Sequence, residues 1–96
     1  MLPIKREMGF TRSDLLRCIG DAFGASVQVA DNEITVLLAG EQDRRVVIRL
    51  SAQYERRIAL LRLPVLDVEI AFHGVDSNAA KAFLDRFDLY TRRGGG

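Results

Sequence analysis

One histidine and one cysteine are all that the chain offers to metal or nucleophilic chemistry. His73 stands in FHGVD, after an alternating apolar run and three residues before Asp76. A His–Asp pair can relay a proton, but a single histidine at a strand end is more often a polar turn residue. Cys18 lies among apolar residues at helical spacing, which suits a small buried hydrophobe better than a thiolate. A metal site needs several Cys, His or carboxylate ligands at set spacing, and no such set is present. No serine stands in a G-x-S-x-G elbow. Glycines 20, 24, 40 and 74 match neither a P-loop nor a dinucleotide fingerprint. Asp67 and Glu69 share one strand face, where carboxylates commonly serve solvation. These residue types point away from an enzyme. No catalytic residue, no cofactor and no metal is expected.

Anion recognition is better supplied. Twelve arginines stand against two lysines, Lys5 and Lys81. Guanidinium forks suit phosphate and carboxylate, although codon preference would produce the same excess. The formal net charge is only +1, so no global field draws in nucleic acid or membrane. Its distribution says more. Residues 25–43 hold four acids and no base, residues 44–62 hold six Arg and one Glu, and residues 63–91 hold five acids and two bases. In an antiparallel sheet the basic segment lies beside acidic neighbours, so Arg45 and Arg49 are expected to face Asp67 and Glu69.

The elements that position these residues follow from period. Thr11 and Asp14 form a capping-box pattern, and Leu15, Cys18, Ile19, Ala22 and Phe23 follow helical spacing up to Gly24. This predicts a helix over 12–23. From Ala25 the period becomes two. Val27 and Val29, then Ile34, Val36 and Leu38, then Val46, Ile48 and Leu50 each turn one way, around turns at 31–32 and 40–43. Leu66, Val68, Ile70 and Phe72 make a further strand. Residues 57–63 are read as a strand apolar on both faces, ended by Pro64, although helix formers in 52–63 leave a helix open. Ala80, Phe83, Leu84, Phe87 and Tyr90 line a last helix capped by Asp76 or Ser77. A short strand in residues 2–8 is a further option.

The expected fold is α+β in one domain, residues 1–91. A four- to five-stranded antiparallel meander carries the N-terminal and C-terminal helices on one face, in the order α-β-β-β-β-β-α. The opposite sheet face is left open. The opening MLPIKREMGF has no apolar h-region, so no signal peptide is expected. No apolar run approaches the roughly 18 residues that span a bilayer. A cytoplasmic protein without membrane contact is the expectation.

The chain closes on RRGGG, read as a flexible tail over residues 92–96. This tail, Arg92, Arg93, Gly95 and Gly96 included, resembles the terminus of ubiquitin-like and sulfur-carrier proteins. That resemblance implies a slim end able to enter an adenylating site, where only glycine lets the backbone approach closely. The body departs from the pattern, because here the tail leaves a helix and the chain opens with one. As a nucleic-acid arm, two arginines supply about two phosphate contacts.

The reading that results is a small non-enzymatic binding module. It acts through the open sheet face, by self-association or by docking a protein partner. Leu37, Arg45, Val47, Arg49, Arg57 and Arg62 form the expected mixed apolar and basic patch. The alternatives are nucleic-acid binding through the same basic face and the glycine-terminated carrier. Sheet platforms for nucleic acid present stacking aromatics, and the expected open face is poor in them.

Overall fold

The structure, a computed structural model, describes residues 2–39 and 41–92. Helical spacing becomes α1 (Arg12–Phe23) with the expected bounds. The Thr11 hydroxyl accepts a hydrogen bond from the Asp14 amide at 3.1 Å. That satisfies one of the amides a helix start leaves without a partner. Gly24 ends the helix at φ +57°, a conformation that favours glycine. In α2 (Ser77–Tyr90) the Asp76 carboxylate plays the capping part, accepting from the Ala79 amide at 2.8 Å.

Six strands make one antiparallel sheet: β1 (Ile4–Met8), β2 (Val27–Ala30), β3 (Glu33–Leu38), β4 (Glu41–Leu50), β5 (Tyr54–Ile58) and β6 (Leu61–His73). Their spatial order is β1-β6-β4-β3-β2, with β5 alongside the start of β6. Register aligns the apolar parity across strands. Ile34, Ile48 and Ile70 stand in one row, and Val36, Val46 and Phe72 in the next. Leu15 and Ile19 of α1 and Phe83 and Phe87 of α2 close over these rows. Both helices therefore lie on one face, as the sequence pattern expects. Burying each such side chain is worth about 1.5–3 kcal/mol, and β-branched residues suit a pleated, covered surface.

Three expectations need correction. The chain opens with a strand, and β1 pairs with β6, so the sheet has six strands rather than four or five. Ile4 and Met8 pack against the core, while Lys5 stands opposite Glu69 on the other face. Residues 57–63 are a hairpin, not one strand: Ile58 pairs with Leu61 around Ala59 and Leu60. Residues 41–43, expected in a turn, begin β4, and a register shift between Leu37 and Leu38 absorbs the extra residues. Of the tail, Arg92 is exposed, and Arg93, Gly95 and Gly96 lie outside the described residues.

Candidate functional site

Odd-numbered residues of β3, β4 and β6 turn away from the helices, and the Cα partners show which of them meet. Arg45 lies between Leu37 and His73, Val47 between Thr35 and Ala71, and Arg49 between Glu33 and Glu69. Arg49 is held on both sides, at 3.3 Å from Glu33 and 3.9 Å from Glu69. The expected cross-strand pairing thus holds for Arg49 and Glu69. It fails for Arg45, whose β6 neighbour is His73 rather than a carboxylate. Val47 also departs from expectation. It is on the open face but only 6 % exposed. A short β-branched side chain between two small neighbours is sunk below the arginines that precede and follow it. Leu37 is half-buried. The centre of the face is therefore a charge-compensated surface without a bare apolar patch.

The apolar surface lies further along. Leu50 pairs with Val68 and Tyr54 with Val65, so three residues, 51–53, stand against two, 66 and 67. This is a β-bulge. The Ser51 amide and hydroxyl bridge it, bonding the Asp67 carbonyl and amide at 2.9 Å each. Beyond the bulge β5 continues the line of β4, and the β5–β6 hairpin runs on as a two-stranded arm. β1 and β4 stop pairing β6 at Leu66 and Val68.

Parity carries the open face onto this arm. Tyr54–Val65, Arg56–Leu63 and Ile58–Leu61 are cross-strand neighbours on the same side as Glu7 and Asp67, while Arg57–Arg62 and Glu55–Pro64 occupy the reverse. Two contacts confirm the continuity. Arg56 pairs with Glu7 at 2.6 Å, and the Tyr54 hydroxyl donates to Asp67 at 3.2 Å. The hydrogen bond to Glu7, with its negative charge, holds the Arg56 guanidinium above its ordinary pKa. Desolvation, then the bond to Asp67, holds the Tyr54 phenol above its own, so it remains a donor. With Arg56 neutralised, the arm's upper side is aliphatic: Ile58 is 53 % exposed, Leu61 61 %, Leu63 40 %, and Leu60 at the turn wholly exposed. Sequence reasoning expects Arg57 and Arg62 in the open-face patch, but their parity puts them on the arm's reverse, and it does not include these leucines. The run IALLRL carries the signal, but by pattern alone it suggests burial.

The arm's turn is strained. Ala59 has φ +54°, a region that costs an L-residue roughly 1 kcal/mol. Ala59→Gly is expected to raise stability by about that amount. The check is a urea unfolding curve with a higher midpoint and an unchanged slope; an unchanged midpoint contradicts the strained turn.

The chemistry-bearing residues stay apart. His73 is exposed beside Arg45, and Asp76 is engaged in capping α2 rather than in a pair with it. Cys18 is half-buried against the core. Among the described residues no three His, Cys, Asp or Glu side chains group to hold a metal ion, and no helix is long and apolar enough to cross a membrane. The chain matches no protein-family model, no curated protein and no solved structure.

Proposed function

We propose that this protein is a non-enzymatic binding module that docks protein through the arm end of its open sheet face. The observation that carries the reading is the arm's aliphatic side, Ile58, Leu60, Leu61 and Leu63, displayed next to the ion-paired Arg56, with Arg57 and Arg62 on the reverse. A contiguous apolar surface of several hundred Å² on a small domain marks an interaction site, and arginine beside large apolar residues is the composition of an interface core. The centre of the face contributes less than the sequence pattern suggests. Arg49 is committed to two carboxylates and Val47 is sunk. A nucleic-acid platform gains no support, because Tyr54 is the one aromatic on that face among the described residues.

A photo-crosslinking amino acid placed at Leu60 and activated in the producing cell tests this. The expected result is a discrete adduct of defined mass, absent when the probe replaces exposed Lys81 on α2. Equal labelling at both positions overturns the reading.

A further inference from the structure

We propose that the arm's partner is a second copy of this chain, joined edge to edge through β5 in antiparallel, two-fold fashion. The proposal rests on reading the arm as the docking element. Its own basis is the unpaired edge and the sequence along it. Among the described residues β5 pairs only with β6, and all five of its residues are exposed. An open strand edge is a ready template for another strand. Whether that strand is a second β5 depends on whether Tyr-Glu-Arg-Arg-Ile complements itself.

It does so in one register. When the two-fold axis is perpendicular to the sheet, residues of like parity face one another, so the centre must fall on a residue. Centred on Arg56, Glu55 of each copy meets Arg57 of the other, and Tyr54 of each meets Ile58 of the other. Opposite charges and aromatic–β-branched pairs are both favourable cross-strand combinations. At the centre Arg56 meets Arg56, and each guanidinium already has its own Glu7 at 2.6 Å. Centring on Glu55 sets two uncompensated carboxylates against each other, and centring on Arg57 does the same with two guanidiniums.

Arg57 supplies a second reason. Within one copy it stands directly opposite Arg62, an unfavourable like-charge pair, and neither arginine has an acidic partner among the described residues. The neighbouring Glu55 relieves that repulsion. Such a contact is isologous and closes at two copies. It also sets the two aliphatic arm surfaces side by side.

Sedimentation equilibrium of the purified full chain, with Glu55→Arg, Arg57→Glu and the double variant, tests the pairing. The expected result is a dimer whose dissociation constant rises about tenfold or more in each single variant, because two symmetry-related attractions become repulsions. In the double variant, which restores opposite charges in exchanged positions, it returns to within about threefold. Both sites are exposed, so circular dichroism spectra are expected to match the parent, and melting to match it at concentrations where all are monomeric. A monomer at the highest concentration overturns the proposal. So does a dimer indifferent to the charge changes. If the Leu60 probe then captures a different protein, the arm remains a docking element; if it captures nothing, that reading fails as well.

Discussion

Gly74→Ala lowers the melting temperature by about 12 °C or more. The residue sits where β6 leaves the sheet for α2, at φ +67°, which costs any side chain roughly 1 kcal/mol. Lack of space costs more. A Cβ at this position falls 2.0 Å from the Asp43 carbonyl oxygen and 3.1 Å from its carbon. The obstacle is backbone of β4, so no rotamer change relieves it. Either the start of β4 or the approach to the Asp76 cap must move. Strain and displacement together cost about 3 kcal/mol, and for a domain of this size 1 kcal/mol corresponds to roughly 4–8 °C. Gly20→Ala provides the contrast. Gly20 lies inside α1, and a Cβ there meets nothing within 4 Å. That variant is expected to gain about 0.5–1 kcal/mol from helix propensity alone. Thermal unfolding followed by far-ultraviolet circular dichroism reads both, and a Gly74→Ala curve matching that of Gly20→Ala contradicts the close approach of Asp43.

Glycine 74 also shows where sequence reasoning stops. Its need for glycine depends on Asp43, thirty-one residues earlier and brought there only by the β4–β6 pairing. Local rules find what local chemistry decides. Thr11 and Gly24 bracket α1, Asp76 opens α2, and the parity of residues 34–50 and 66–72 sends the right side chains under the helices. The misses share a different cause. In β1 the core-facing positions are Ile4, Arg6 and Met8, and the arginine breaks the apolar alternation. It is tolerated because Asp88, eighty-two residues away, pairs with it. The arm escapes sequence reasoning for a related reason. Ile58 to Leu63 is apolar enough to suggest burial, and its turn uses Ala59 where glycine or asparagine would have announced a hairpin. The proposed docking surface is thus a place where the local signal and the fold disagree, as functional sites often are.

That surface is separable from what holds the fold, and Phe87→Ala defines the other side of the separation. Phe87 is 1 % exposed. Its ring stacks near Phe83 at 6.1 Å, Phe83 stacks on Phe23 of α1 at 4.6 Å, and Phe72 of β6 meets Phe83 edge-on at 5.9 Å. This aromatic chain ties both helices to the sheet. The Arg6 guanidinium lies 5.9 Å from the Phe87 centroid while paired with Asp88, so truncation also strips cover from that ion pair. Loss of a buried phenylalanine costs about 3–5 kcal/mol, a large share of the stability of a small domain. Phe87→Leu, which keeps most of the volume, should cost less than half as much. Urea titration checks both, with a lower midpoint and an unchanged slope expected. Leu60→Asp in the same assay should shift stability by no more than about 0.5 kcal/mol, because a fully exposed turn residue has no packing to lose. A comparable loss from Leu60→Asp would mean that the leucine is covered in solution even in the isolated monomer, and the arm would then be part of the core rather than a surface held out for a partner.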